Sequence, residues 1–433
     1  MTTLRPGRLT AAAKKFLMWD PNPAVFGITI PCPVPVAMKL DEARGLVNAL
    51  IDTHESLRSR YSYGLDAAVL IEPESNGEID TARVDVREVD IENVAPESIQ
   101  QIMEAETAKS NLRLDPTTGK IVTAALLTRS TDVNILLLTV HHIAIDGVAM
   151  WVMWEDVATY ARQWAAGEKI SLPAEAITGS EWAAFLDEYA QTRDGELDYW
   201  LAASDIEPYV ETRPAAPDSA YLDDVIAGDL AVRLLDELPA ALGASYTRIL
   251  LVALGLAIED VTGEARPIQV QKHGRYSRLR PGTDLSRTVA WLSDDYPWLV
   301  RPVTGSLGDR MRDAIATYPA NPEDYTLLFW HHPESWSRMV EFNVPKFYFN
   351  FLGDVGVWIP GAHSREQARL TVFDLSMFLG ASENDGMRAV HYSVHSPTGG
   401  IGMDRVKEIV ARWLSILATV EIESAAQLPS AAL

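Results

Sequence analysis

His141 and His142 close an apolar run and are followed by Ile143, Ala144, Ile145, Asp146 and Gly147. Histidine suits general acid/base work, because an unperturbed pKa of about 6.5 leaves both protonation states accessible near neutral pH. Asp146, one residue before a glycine that permits a tight turn, reads as architectural: it can accept hydrogen bonds from the loop or pair with an arginine. Metal chemistry is not expected here. Adjacent histidines on an extended strand point to opposite faces, and no HExxH spacing supports them. The pair His331-His332 is followed by Pro333 and Glu334, lacks the Asp-Gly, and reads as ordinary polar structure.

The elements around the loop are legible from periodicity. IVTAALLTRS (121–130) and DVNILLLTV (132–140) read as adjacent β-strands, the second running directly into the histidines. VAMWVMWEDVATYARQWAA, after Gly147, places Val148, Trp151, Val152, Tyr160 and Trp164 on or near one helical stripe. HHIAIDG is therefore a strand-to-helix loop, and such a loop exposes its side chains to a cleft. Residues 39–61 read as an amphipathic helix ending in a basic patch. There Arg58 and Arg60 either serve a cleft or cap the helix end. GEKISLPAEA (167–176) loses periodicity and supplies Gly and Pro, so two lobes are expected, residues 1–170 with the HHIAIDG loop and 171–433. The second lobe alternates helical text with short apolar runs, giving a mixed α/β (α+β) fold class. Trp291 and Trp298 read as core, and Asn343 or Asn350, polar amides in apolar strands, as facing a channel.

The chain has 433 residues, 47% hydrophobic and 22% charged, which suits two globular domains. Its 37 basic and 60 acidic residues give a net charge of −23, which disfavours nucleic acid and anionic membrane surfaces as partners. Cys32 is the single cysteine, so no intrachain disulfide forms, and a cytoplasmic location is expected. No signal peptide and no run approaching 18 apolar residues is visible, so no membrane partner is expected.

HHIAIDG resembles the HHxxxDG signature of the condensation-domain superfamily of nonribosomal peptide synthetases. THESLRSRY (53–61) resembles the family's early HExLRTRF element, and SEWAAFLDEYAQTRDGELDYWLA (180–202) its segment joining the lobes. The resemblance implies two chloramphenicol-acetyltransferase-like lobes forming a V with a central tunnel, and no bound cofactor. Substrate would arrive as a phosphopantetheine thioester on an acyl or peptidyl carrier protein. It also implies that His142 is catalytic, supported by His141, Asp146 and Gly147, with Asp146 in a structural ion pair that by position falls to Arg275.

The second half is most similar to the epimerization branch, through IQVQKHGRYS, DLSRTVAWLSDDYP (284–297) and FNFLGD (349–354). Two positions depart from that branch. Its catalytic glutamate is replaced by Gln271, which exchanges no proton at useful pH, and the tyrosine after Asn350 is replaced by Phe351. Racemisation needs a base on one face and an acid on the other, whereas condensation needs alignment and the management of one proton. The expectation is a free-standing condensation enzyme, an acyltransferase served by a carrier protein in trans and acting on a small amine or alcohol. Gln271 and Asn350 would line the substrate channel. The alternatives are an isomerase in which Lys272 or Asp294 supplies the base, and a non-catalytic relative that recruits other enzymes.

Overall fold

In the computed structural model, residues 4–19, 26–61, 68–71, 84–130, 133–193, 196–203, 220–300, 304–339, 345–354, 373–384, 386–397 and 400–421 are described. They form two compact units. The first runs to Thr192 and recovers His273–Asp294; the second comprises Arg193–Lys272 and Asp295–Leu433. Asn343 lies outside the described residues.

The first unit contains strands β1 (Leu4–Gly7), β2 (Gly27–Pro35), β3 (Ser59–Tyr61), β4 (Ala68–Ile71), β5 (Val86–Asp90), β6 (Val122–Thr128) and β7 (Val133–His141). Its helices are α1 (Ala11–Trp19), α2 (Leu40–Thr53), α3 (Pro96–Asn111), α4 (Gly147–Ala165) and α5 (Gly179–Ala190). One sheet has the order β2-β7-β6-β5 and another the order β1-β4-β3. Every residue of β6 is buried and β7 is mostly so, as suits central strands covered on both faces. They pair antiparallel, with Val122 opposite Val140 and Leu126 opposite Leu136, as their adjacency in sequence predicts. Strand β2 carries Pro31, Pro33 and Pro35, which cannot donate to a ladder, and it sits at the sheet edge.

Two sequence readings are corrected here. The helix expected over 39–61 stops at Thr53, because His54 is extended (φ −110°, ψ 118°) and its ring is fully buried. The imidazole lies between Asp156 (Nε2 to Oδ2, 2.8 Å) and Glu175 (Nδ1 to Oε1, 3.2 Å). Arg58 Nη1 donates to the carbonyls of Ile51 (3.3 Å) and Asp52 (3.1 Å), so it serves the helix end. The linker expected at 167–176 lies inside the first unit. Gln163 bonds both backbone groups of Ser171 (2.8 and 3.1 Å), and Glu175 accepts from the Val289 amide (2.7 Å). Side-chain hydrogen bonds, invisible to periodicity, tie that segment down.

In the second unit, β8 (Ala220–Ile226), β9 (Pro267–Lys272), β10 (Asp294–Leu299), β11 (Phe347–Asp354), β12 (Leu375–Asn384) and β13 (Met387–Ser396) form one sheet of order β10-β9-β11-β12-β13-β8. Its core holds Ile268, Val270, Phe347, Phe349, Met377, Leu379, Tyr392 and Val394, together with helices Tyr246–Thr262 and Met403–Thr419. Strand alternation sends Gln269, Gln271, Tyr348, Asn350, Ser376, Ser393 and His395 to the opposite face. Gln269, Asn350, Ser376, Ser393 and His395 are nonetheless buried, so that face is both polar and covered. Trp298 is core, as read from the sequence. Among the described residues no single helix is long and apolar enough to cross a membrane.

Candidate active site

Strand β7 delivers His141, a short 3-10 turn carries His142–Ala144, and α4 begins at Gly147. Asp146 is the N-cap of α4: its Oδ1 accepts from the Ala149 amide at 2.9 Å, satisfying one of the helix's free donors. The same carboxylate receives Arg275 as a fork, Nη1 to Oδ2 at 2.7 Å and Nη2 to Oδ1 at 3.0 Å. Its Oδ2 also accepts the amides of Leu292 (3.0 Å) and Ser293 (3.1 Å). Both side chains of the ion pair are almost fully buried, 3% exposed for Asp146 and 7% for Arg275. A buried charge pair is tolerable only when its remaining lone pairs and donors are met. Here Arg275 also donates to the carbonyls of His273 (3.1 Å) and Thr288 (3.0 Å), and only its Nε is buried without a partner. Asp146 thus fastens three stretches: the histidine loop, the His273–Arg275 turn and the segment around Leu292.

That turn depends on Gly274. Its φ is +66°, and a Cβ there would stand 1.6 Å from the Leu292 carbonyl oxygen. Gly147 behaves differently. It has no left-handed backbone conformation, and a Cβ there would meet nothing within 4 Å. The tight-turn role expected for Gly147 therefore belongs to Gly274, and Gly147 leaves open space beside the loop.

His142 packs against two aromatic rings. Phe26 stacks on it (centroids 4.9 Å apart, planes 6°), and Trp291 covers it at 4.0 Å and 37°. The main-chain amide of His142 donates to the Phe26 carbonyl at 2.7 Å, which fixes where the ring begins. Its Nδ1 is buried without a hydrogen-bond partner. Burial disfavours the imidazolium and pushes the pKa down to about 4, against smaller favourable contributions from the His142 and Ile145 carbonyls and the Asp146 charge. At neutral pH His142 is therefore an unprotonated base. His141 faces away from solvent altogether: its Nδ1 accepts from the Ile143 amide (3.2 Å), and its ring meets Phe16 edge-on. It shapes the loop. Trp291 also lines a pocket with Glu55, Ser56 and Ile143, of about 30 Å³, room for a water-sized group.

The second unit carries the other residues read from the motifs. Gln271 lies on the polar face of its sheet, where its Oε1 accepts from the Tyr348 hydroxyl at 2.8 Å. Asn350 shares that face and is 8% exposed. Phe351 turns the other way, packing on the core with Tyr246 edge-on. Lys272 follows the core-facing alternation and lies over the Tyr318 ring at 5.6 Å, away from Gln271. Asp294, where the returning stretch of the first unit passes into β10, accepts from the Tyr276 hydroxyl at 2.8 Å. His332 bonds Ser335 Oγ at 2.8 Å, consistent with its reading as ordinary polar structure. Sequence reasoning did not select Phe26, Gly274 or Thr288, and it read Trp291 as core. Gly274 lies inside IQVQKHGRYS and Trp291 inside DLSRTVAWLSDDYP, the one signal that could have found them.

A protein-family model described as "Condensation domain" matches residues 32–317, more than half of the chain. The chain belongs to the condensation-domain family. A linear gramicidin synthase of Brevibacillus parabrevis is 30% identical to this condensation-domain chain over 263 residues, covering 58% of the chain and 5% of that synthase. A plipastatin synthase of Bacillus subtilis (strain 168) is 28% identical over 344 residues, 73% of the chain and 13% of the synthase. The chain thus spans a small fraction of the curated relatives it matches. Among solved structures it is similar to the epimerization domain from the third module of tyrocidine synthetase B, with a TM-score of 0.76 and 21% identity over 96% of this chain and 97% of that one. These likenesses give the condensation domain its chloramphenicol-acetyltransferase-like, two-lobe fold.

Proposed function

We propose that this condensation-domain protein transfers an acyl or aminoacyl group from a phosphopantetheine thioester on a carrier protein, docked in trans, to a small amine or alcohol. The observation that carries the reading is the placement of His142 on a strand-to-helix loop fixed by the buried Asp146–Arg275 pair. In the reaction the acceptor nitrogen or oxygen attacks the thioester carbonyl while His142 takes its proton. The carbon–sulfur bond then breaks and the pantetheine thiol leaves with a proton returned from His142. A neutral imidazole in fixed orientation contributes by alignment and by holding one proton, the two things this chemistry needs. Cys32 is buried and its thiol is pushed up to about 12 by desolvation, so it does not compete as a nucleophile, and a reducing, cytoplasmic setting suits the chain.

Epimerization is the second reading, favoured by the second-half motifs and the 0.76 TM-score. Three observations weigh against it. Gln271 is an amide already engaged by Tyr348, Lys272 lies on the other face of the sheet, and Asp294 is engaged by Tyr276. The retained HHIAIDG loop weighs against a recruitment-only relative. The test is mass spectrometry of a loaded carrier protein in D₂O, with and without the enzyme. Loss of the acyl group to a new amide or ester, with the α-proton unexchanged, is expected. Deuterium incorporation by the wild type that disappears in His142→Ala would replace transfer with isomerisation.

A further inference from the structure

We propose that Trp291 is the positioning residue for His142, forming with Phe26 a two-ring clamp that orients the imidazole and that Asp146 holds shut. The inference rests on the transferase reading above for its catalytic consequence, but its structural content stands without it.

The geometry is specific. Two aromatic rings with centroids 4.9 and 4.0 Å from the imidazole leave it little room to rotate about χ2. Phe26 and Trp291 themselves approach within 6.3 Å, and Phe16 backs both, at 5.2 Å from Phe26 and 5.7 Å from Trp291. The tryptophan is fixed twice over. Its Nε1–H donates to Ser293 Oγ at 2.8 Å, and the main chain of the two residues after it is held by Asp146 Oδ2. One carboxylate therefore sets both the loop that carries the base and the segment that carries its cover. The clamp also excludes water from one side of the ring, which disfavours its charged form. Asp146 is the titratable group whose charge acts on the ring; it is paired with Arg275, and His141 is the adjacent ionisable residue.

The test uses the intact chain and two readouts. The first is the pH titration of the His142 ring by ¹H–¹³C NMR in the free protein, which needs no substrate. The wild-type ring should stay neutral to about pH 4. In Trp291→Ala it should titrate about one unit higher or more, as water reaches the ring, and Trp291→Phe should restore most of the wild-type behaviour. Ser293→Ala, which removes only the indole's hydrogen bond, should show a smaller shift in the same direction and covers the case in which Trp291→Ala fails to fold. An unchanged titration in folded Trp291→Ala, or in Ser293→Ala if the former is insoluble, overturns the clamp. The second readout is kinetic. In the carrier-dependent transfer, Trp291→Ala should lower kcat about tenfold or more with KM little changed, the mark of lost alignment. A shifted titration with unaltered kcat overturns the positioning role. If no transfer is found at all, the titration still decides the clamp while the transferase reading falls.

Discussion

Asp146 and Arg275 stand 129 positions apart and meet as a bidentate ion pair, 2.7 and 3.0 Å, that neither shares with bulk solvent. The pair joins the strand-to-helix loop of the histidines to a segment that the chain returns to the first unit only after most of the second unit's first helices. Asp146 also binds three backbone amides, so its charge is met from several directions.

Removing either partner leaves the other buried and uncompensated. Asp146→Ala and Arg275→Ala should each cost about 3–5 kcal/mol in chemical denaturation, and the double variant less than their sum. Strict additivity would show that the two charges do not act as a unit.

His142→Ala should lower turnover about 10² to 10⁴-fold, the usual range for a general base, with the melting temperature nearly unchanged. Steady-state kinetics beside a thermal melt decides it: wild-type turnover in a folded variant would remove His142 from the proton transfer.

The two glycines should separate cleanly. Gly274→Ala places a methyl group against the Leu292 carbonyl in a left-handed conformation and should destabilise by at least about 2 kcal/mol. Gly147→Ala enters open space and should stay within about 0.5 kcal/mol of wild type. Equal stability of the two variants would contradict the geometry of the turn.

Stability should depend on pH in two opposed ways. The carboxylate partners of His54 favour its protonated form: burial opposes the charge, but the hydrogen bonds to Asp156 and Glu175 raise its pKa above the ordinary value. Its stabilisation is complete below about pH 6.5 and is lost as pH rises through the folded pKa. His142 is depressed to about 4, so the unfolded chain binds its proton first, and stability falls as pH drops from about 6.5 towards 4. Urea unfolding of wild type and His54→Gln from pH 5 to 9 checks the first: the gap between them should narrow on the alkaline side. A constant gap would mean that His54 is not charged in the fold.

Local patterns in the sequence determined the pieces. The apolar runs of β6 and β7 and the helix α4 after the histidine loop follow from near-neighbour periodicity, and they place His141, His142 and Asp146 without any tertiary information, although of the stripe expected on α4 Val152 and Tyr160 are buried and Trp151 is exposed. Motif resemblance carried the family and singled out Arg275. Tertiary structure decided what those residues meet. His54 ended a helix that periodicity would have continued to residue 61, because Asp156 and Glu175, from distant positions, draw its ring inward. The segment 167–176 looked like a linker because its hydrogen-bond partners, Gln163 and Val289, leave no periodic trace. Gly274 rather than Gly147 proved to be the glycine its turn requires, since only the fold brings the Leu292 carbonyl against it. Trp291 read as core by composition, and the long return of residues 273–294 set it on His142. Periodicity reports which face of an element is buried; which side chain from a hundred residues away arrives at that face is set by packing and charge pairing in three dimensions.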